Sequence, residues 1–214
     1  MADPFHRDLD AQAIRTALAA AQQKPPVDPY PAHWFAAPAK PAAVLVPLLQ
    51  ADDGWRLLFI RRATNEHDPH SGQVAFPGGQ QEPADPNPEA TALREAEEEI
   101  GLHPSHVTLW GRLPRHRTLT NFSIVPVVGQ VPWPLDLRLA QEEVTHIFTV
   151  PLAWLRQPEH WDVRVRRLKT GEEARLVYFR PYQGEVIWGA TARIVVTLLQ
   201  VLGWWPEGAE AKKV

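Results

Sequence analysis

Arg94-Glu95-Ala96-Glu97-Glu98-Glu99-Ile100-Gly101-Leu102 is the stretch of sequence that decides the fold and the chemistry of this chain. At about 100° per residue, Glu95, Glu98 and Glu99 fall on one face of a helix, where like charges repel each other. A hard divalent cation such as Mg²⁺ would offset this repulsion, because it takes oxygen ligands and carries the opposite charge. The alternative is an acidic face in solvent that Arg94 partly neutralises.

A glycine-bearing loop lies just upstream of these glutamates. Residues 71–79 read Ser-Gly-Gln-Val-Ala-Phe-Pro-Gly-Gly, and paired glycines let backbone groups approach a ligand or metal closely. Such a loop leading into a carboxylate-rich helix is suited to holding a metal ion and a phosphate together. This context favours the metal interpretation over the solvated acidic face.

The pattern around this core predicts a strand-rich α+β fold rather than a regular alternation of strands and helices. The glutamate helix is predicted over residues 89–100, ending at Gly101, and an apolar helix closes the chain over residues 190–202. Residues 74–76 form a short apolar run that Pro77-Gly78-Gly79 closes. Longer strands are predicted over residues 43–49, 55–60, 107–113, 122–131 and 144–150, and a hairpin over residues 162–169 and 174–182.

The first forty residues form a separate predicted segment. Apolar residues at three- and four-residue steps predict a helix from Leu9 to about Gln23. Six prolines then follow between Lys24 and Pro41, which excludes a helix or a central strand and predicts an extended strap held by Trp34 and Phe35. The predicted organisation is therefore an N-terminal helix and strap (1–41), a main domain (42–203) and a C-terminal tail (204–214).

Composition narrows the class of protein. The chain has 214 residues, which suits one domain, and 22 basic against 25 acidic residues give a net charge of −3, which argues against a nucleic-acid binder. The absence of cysteine excludes disulfides, thiol nucleophiles and cysteine-ligated metals. Acidic residues near the N-terminus and the lack of a long apolar run predict a cytoplasmic protein without a membrane span.

Arg112, Arg115, His116 and Arg117 form a basic cluster in a proline-interrupted stretch. The cluster is predicted to lie in a solvated loop, and contact with a substrate phosphate is the alternative.

The glutamate stretch closely resembles the signature of the Nudix hydrolases, G-x5-E-x7-R-E-U-x-E-E-x-G-U, where U is aliphatic. The matching positions are Arg94, Glu95, Ala96, Glu98, Glu99, Gly101 and Leu102, with Gly79 as the opening glycine. Gly79 lies 15 residues before Arg94, where the signature has 14, and Asp85 best fills the upstream glutamate position. The resemblance implies a Nudix-type α/β/α sandwich with a mixed sheet.

Three further segments are similar to the coenzyme A diphosphatase branch of that family. They are Phe-Pro-Gly-Gly at 76–79, Leu-Phe-Ile-Arg-Arg at 58–62 followed by His-Ser-Gly-Gln at 70–73, and Ile-Trp-Gly-Ala-Thr-Ala at 187–192. One departure lies between Arg62 and His70, where His67-Asp68 replaces the Leu-Arg pair of that branch and one residue is added. Either Arg61 or Arg62 is then the matching arginine.

The resemblance implies Mg²⁺- or Mn²⁺-dependent hydrolysis of a diphosphate bond. The substrate would be coenzyme A or its thioesters, with 3′,5′-ADP and 4′-phosphopantetheine (or its acyl form) as products. One alternative is a Nudix enzyme for another nucleoside diphosphate derivative, such as ADP-ribose. A second is a non-catalytic nucleotide sensor, against which the intact set of Glu95, Glu98 and Glu99 argues. The resemblance alone also suggests a homodimer.

The roles of single residues also follow from the resemblance. Glu95 and Glu99 would be the first metal ligands, the Gly79 carbonyl would complete the shell, and Arg94 would orient a carboxylate. Glu98 is either a third ligand or the base for the attacking water. Glu143 is the candidate for a further catalytic glutamate from a later loop, with an exposed loop glutamate as the alternative. The substrate-binding candidates are Arg62, His70, Gly72, Gln73 and Gly78.

Overall fold

The computed structural model describes residues 10–22, 30–64, 71–168 and 171–205. The helices are α1 (Ala11–Gln22), α2 (Pro88–Ile100), α3 (Leu152–Leu155) and α4 (Gly189–Val201). The strands are β1 (Lys40–Ala51), β2 (Gly54–Arg62), β3 (Val74–Ala75), β4 (Gly78–Gln80), β5 (Thr108–Arg112), β6 (His116–Arg117), β7 (Phe122–Val131), β8 (Val144–Pro151), β9 (Trp161–Arg167) and β10 (Glu173–Phe179).

Strand β1 organises the main sheet, because two different strands share one of its edges. On one side β1 runs parallel to β7 from Lys40 to Leu49. On the other side its first part pairs antiparallel with β4 at Ala42–Val44, and its last part pairs antiparallel with β2 at Leu48–Ala51. The sheet is therefore mixed, and it forks between β4 and β2.

The fork explains how a long central strand tolerates a proline. Pro47 lies between the segments that pair with β4 and β2, and the preceding Leu45 N–H donates across this edge to the Pro77 carbonyl at 2.8 Å. Because alternate residues direct their N–H groups to the same edge, the missing N–H of Pro47 falls on the edge shared by β4 and β2, between the two segments that pair there, while Pro47 stays in register with Gly129 of β7 on the other edge.

Both faces of the sheet are buried, as the alternation along β1 requires. Val46 and Leu48 belong to the core shared with α1 and α4, whereas Leu45 and Leu49 belong to the core shared with α2, and all four side chains are fully buried. The predicted α/β/α sandwich with a mixed sheet is confirmed. The hairpin of β9 and β10 forms a second, two-stranded sheet beside it.

The structure differs from the predicted elements at the glycine loop. Pro77-Gly78-Gly79 was expected only to close an apolar run, but Gly78–Gln80 forms β4 and pairs with β1. A strand of three residues rich in glycine carries no periodicity, so its pairing depends on β1 alone. Similarly, β6 contains two residues and pairs with β7 at Ile124 and Ser123.

Both ends of the described chain pack on the main body. Ile14 and Leu18 of α1 are fully buried in the α4 core, and Trp204 and Trp205 are buried in the same core. The predicted contact of the strap with the main domain is present at Phe35, which lies 3.7 Å beneath the Arg117 guanidinium group. Trp34 stacks at 5.6 Å on Tyr30, which belongs to the strap itself. The predicted division at 41 and 203 stays a prediction. Within the described ranges, each helix is too short or too polar to cross a bilayer.

Candidate active site

Helix α2 is positioned by clear signals at both ends. Asn87 caps its start, where the side-chain oxygen accepts a hydrogen bond from the Ala90 N–H at 2.9 Å, and Gly101 ends it in the left-handed conformation at φ 67°. Ala92, Ala96 and Ile100 are fully buried against the sheet. This packing fixes the rotation of α2, so that Glu95 and Glu99 lie against β4.

The side chains of Glu95 and Glu99 pack directly against the paired glycines of β4, Gly78 and Gly79. The Gly78 N–H donates to Glu99 Oε2 at 2.9 Å. A Cβ atom on Gly79 would lie 2.5 Å from the carboxyl carbon of Glu95, and one on Gly78 would lie 2.5 Å from Cα of Val44, where its φ of 154° also favours glycine. A side chain at either position would therefore displace Glu95 or separate β4 from β1.

Burial makes both carboxylates resist ionisation. Burial raises the pKa of Glu99 to about 8, against the lowering effects of the Gly78 N–H and of Arg62, whose Nη1 lies 3.6 Å from Glu99 Oε1. Burial also raises the pKa of Glu95, which the nearby Arg94 partly offsets. Glu143 adds repulsion to both groups. Bringing a divalent cation to this position would favour the ionised form of both carboxylates.

Arg94 joins α2 to the loop before it through several hydrogen bonds and ion pairs. Its Nε and Nη2 donate to the two carboxylate oxygens of Asp85 at 3.1 and 3.0 Å, and Nη2 also donates to the Gln80 carbonyl at 3.2 Å. Its Nη1 contacts Glu98 at 2.9 Å and Glu95 at 3.0 Å. The hydrogen bond from Arg94 holds the pKa of Asp85 well below its usual range. Asp85, which replaces the expected glutamate, thus anchors Arg94.

The four glutamates between positions 95 and 99 of α2 divide into two pairs. The side chains of Glu97 and Glu98 are 49% and 56% exposed, whereas those of Glu95 and Glu99 are 17% and 3% exposed. A solvated acidic face therefore describes Glu97 and Glu98 but not the other pair. Glu143, which directly precedes β8, is also exposed. Its charge is close enough to repel those of Glu95 and Glu99. Its backbone carbonyl accepts a hydrogen bond from the Ala63 N–H at 2.7 Å.

The chemistry of these donors suits a hard divalent cation. Carboxylate oxygens and a backbone carbonyl are the ligands that Mg²⁺ and Mn²⁺ prefer. Within the part of the chain that the structure describes, three acidic or histidine side chains do not yet converge on one point at metal-binding distance. Glu95 and Glu98 both form ion pairs with Arg94 instead, and the positive charge of Arg94 partly neutralises the two carboxylates.

A cavity of about 540 Å³ adjoins the carboxylates. Arg62, Gln73, Gly78 and Gly79 contribute to its wall, as do Val44 and Ile194 from the α4 core. The rest of the wall comes from the strap, from β6 and the turn after it, from the hairpin and from the start of α4, and includes Tyr30, His116, Thr118, Arg166, Trp188, Gly189 and Thr191.

The predicted substrate contacts are only partly gathered at this cavity. Of the two neighbouring arginines, Arg62 lies at the carboxylates, whereas Arg61 pairs with Glu185 at 3.0 Å. Gly72 is not part of the cavity wall and lies near the side chains of Arg61 and Thr64. His70 is outside the described residues.

The expectation of a solvated basic loop is wrong for His116, which is 6% exposed because β6 brings it against the sheet. Arg112 lies on β5 rather than in a loop, and its side chain is 42% exposed while it pairs with Glu89 of α2 through two hydrogen bonds. Tyr30 and Thr118 were not expected at the cavity, and His116 was expected in a solvated loop, with contact to a substrate phosphate as the alternative. A two-residue strand gives no alternating pattern, so no signal in the sequence separates His116 from its exposed neighbours.

We expect His116 to make the protein acid-sensitive. Burial, together with the positive charge of Arg193, lowers the pKa of His116 to about 4. Because the unfolded chain binds this proton near pH 6.5, the stabilising effect is fully present above pH 6.5 and is lost as the pH falls towards 4. Between pH 7.5 and 5, His116 should account for a loss of about 2 kcal/mol in the free energy of unfolding.

Urea unfolding of the wild type and of His116→Phe at both pH values measures this contribution. The variant should lose less stability on acidification than the wild type, since carboxylates elsewhere titrate equally in both proteins. Equal losses would contradict the prediction.

Comparison with known proteins identifies the family of this chain. Residues 39–183 match the NUDIX domain family. The chain is 38% identical over 166 residues to the uncharacterized Nudix hydrolase NudL of Enterobacter sp. (strain 638), covering 77% of this chain and 84% of that protein, and 39% identical over the same coverage to NudL of Cronobacter sakazakii. Among solved structures, a MutT/nudix family protein from Enterococcus faecalis is 15% identical with a TM-score of 0.46, covering 93% of this chain and 77% of that one.

The chain therefore belongs to the Nudix family and is a Nudix hydrolase, an enzyme that acts on nucleoside diphosphate derivatives. Enzymes of this family generally use divalent metal cations. Its similarity to the NudL proteins places it near that group.

Proposed function

We propose that this enzyme hydrolyses the diphosphate bond of coenzyme A or its thioesters with Mg²⁺ or Mn²⁺, giving 3′,5′-ADP and 4′-phosphopantetheine or its acyl form. The observation that carries this proposal is the wall of the cavity. Each of the three segments that resemble the coenzyme A diphosphatase branch contributes to it: Arg62 with Gln73 from the second motif, Phe76 with the two glycines, and Trp188 to Thr191 at the start of α4. Residues more than 100 positions apart in sequence thus meet around one ligand-sized space.

Glu95, Glu99 and the Gly79 carbonyl are the groups that would hold the divalent cation. When bound, the cation neutralises charge on the diphosphate oxygens and lowers the pKa of a coordinated water. The buried position of Glu99 beneath Gly78 makes its charge dependent on a nearby cation, which favours a ligand role over that of a free surface carboxylate.

Arg94 orients the remaining carboxylate, because one Nη1 group contacts both Glu95 and Glu98. Glu98 is the more exposed of the two and can act as a third ligand or accept the proton of the attacking water. Glu143 is the second candidate for the proton acceptor, since it is exposed and close enough to influence both Glu95 and Glu99. Arg62 lies between the carboxylates and the cavity and would bind a phosphate oxygen of the substrate.

A substrate panel tests the proposal. Purified enzyme with Mg²⁺ or Mn²⁺ is incubated with coenzyme A, acetyl-coenzyme A, ADP-ribose and a dinucleoside polyphosphate, and the products are resolved by chromatography. We expect the two coenzyme A substrates to be cleaved with the highest kcat/KM, yielding 3′,5′-ADP. Strong turnover of ADP-ribose without cleavage of coenzyme A would overturn the proposal, and tight nucleotide binding without any turnover would indicate a sensor.

The cytoplasmic location, the absence of a nucleic-acid partner and the homodimer stay predictions from the sequence. Size-exclusion chromatography with light scattering tests the last of these directly.

A further inference from the structure

His116 is a largely buried histidine in the wall of the cavity, and its ring nitrogens are not among the fully buried unpaired polar atoms of the described residues. It is 6% exposed, and within the described ranges neither ring nitrogen forms a hydrogen bond with the protein. The other buried polar side chain of this wall is satisfied internally, since Thr118 Oγ1 accepts from the Phe122 N–H at 3.0 Å and contacts Thr120 Oγ1. A ligand that pairs with one of these nitrogens therefore makes a hydrogen bond in a largely buried setting that the protein itself does not supply.

The surroundings of His116 suit a planar, uncharged group. The Tyr30 ring lies 6.5 Å from the imidazole, and Val44 and Ile124 provide apolar surface. Burial and Arg193 keep the imidazole neutral, so it presents one N–H donor and one nitrogen acceptor rather than a charge for a phosphate. A heteroaromatic ring with donors and acceptors on its edge matches this arrangement better than an alkyl chain, which would leave both nitrogens unpaired.

His116 lies in the same cavity as the glycines that contact Glu95 and Glu99. Gly78 and Gly79, which receive Glu99 and Glu95, belong to the same cavity wall as His116. A volume of about 540 Å³ is within the range of small-molecule sites. A single substrate can therefore place its diphosphate at the glycines and a ring at His116.

We propose that His116 is a specificity-determining residue, which binds the nucleobase of the substrate through a ring nitrogen while Tyr30 packs against the base. The inference rests on the proposed function for its substrate class. Beyond the diphosphate, it names the nucleobase as the part of the substrate that the enzyme recognises. It also assigns a role to the N-terminal strap, because Tyr30 belongs to this strap.

The test measures binding without metal, so that it does not depend on hydrolysis. Isothermal titration calorimetry in EDTA compares 3′,5′-ADP, ribose 5-phosphate and 4′-phosphopantetheine as probes. His116→Phe keeps a ring of similar size and removes both nitrogens, and His116→Gln keeps a donor and an acceptor. His106→Phe, at an exposed position outside the cavity wall, is the matched control for the same chemical change.

We expect His116→Phe to weaken 3′,5′-ADP binding about 10-fold, and to leave the affinity for 4′-phosphopantetheine and ribose 5-phosphate unchanged. His116→Gln should recover affinity to within about 3-fold of the wild type, and His106→Phe should match it. In turnover assays, His116→Phe should raise KM more than it lowers kcat. Tyr30→Leu provides a second route if His116→Phe does not fold, with an expected loss of about 10-fold for 3′,5′-ADP alone.

Several results would overturn the inference. They are unchanged binding of 3′,5′-ADP by His116→Phe, a wild type that does not bind it, and a selective loss of 4′-phosphopantetheine, which would place the other half of the substrate at His116. Failure of the proposed function looks different, because a wild type that cleaves no diphosphate in the panel can still bind 3′,5′-ADP in a His116-dependent manner.

Discussion

Glu99→Gln should reduce kcat with any diphosphate substrate by more than about 100-fold while leaving the protein folded. Changes to groups that only support metal ligands typically cost 10–100-fold in affinity or activity, so the loss of a direct ligand is expected to exceed that range. Glutamine has nearly the same shape, and its side-chain oxygen can still accept the hydrogen bond from Gly78 N–H. Since burial already disfavours the charge on Glu99, its removal should not lower the free energy of unfolding without metal.

Two measurements separate this loss from a general defect. In steady-state assays, Glu97→Gln is the matched control, because it makes the same change on the same helix at a side chain that is 49% exposed. In thermal melts, Mn²⁺ should raise the Tm of the wild type and of Glu97→Gln but not that of Glu99→Gln. Activity of Glu99→Gln within a few-fold of the wild type would contradict the ligand role.

Arg94→Ala should lower the free energy of unfolding by about 3 kcal/mol and also impair catalysis. Breaking a largely buried ion pair on one side leaves the other charge without compensation, and the Asp85 side chain is only 6% exposed. The same change frees Glu95 and Glu98 from the guanidinium group that holds both of them. Arg94→Lys should recover little, because an ammonium group cannot make the paired contacts to Asp85.

The pH dependence gives this prediction a specific signature. The pKa of Asp85 is lowered in the folded state, so its stabilising effect is present above the unfolded value near 4 and is lost as the pH falls below it. The difference in stability between the wild type and Arg94→Ala in urea should therefore shrink at pH 3. Arg112→Ala is the control, because it breaks a more exposed pair with Glu89 and should cost only about 1 kcal/mol without loss of activity. Equal stability of Arg94→Ala and the wild type at pH 7 would refute the role of Arg94 in joining α2 to the loop before it.

The sequence predicted most of the fold because the spacing of apolar residues in a long helix or strand shows which of its faces is buried. Helix α2 was expected over residues 89–100 and spans Pro88–Ile100, and the final helix and the hairpin were placed with similar accuracy. The strands β4 and β6 were missed because segments of two or three residues have no periodicity of their own. Their conformations depend on pairing with β1 and β7, which are distant in sequence.

The candidate site divides in the same way. The three glutamates of the Nudix motif lie within five positions of one helix, so spacing alone indicated that Glu95, Glu98 and Glu99 share a face. Spacing could not indicate that Glu99 is buried beneath Gly78 while Glu98 stays at the surface, nor that Arg62 rather than Arg61 faces them. These distinctions arise from the packing of α2 on β1 and from the register of β2 in the sheet.

The sequence by itself determined the family and the α+β architecture, and it predicted oxygen donors for a hard metal, because local spacing and residue chemistry carry that information. Only the tertiary structure decided what surrounds the donors. The fork of β1 opened the space at the glycines, and the strap, β6 and the start of α4 closed a cavity around His116. Burial and long-range pairing are properties of the folded chain, and they set that Glu99 is buried beneath Gly78 while the neighbouring Glu98 stays in water.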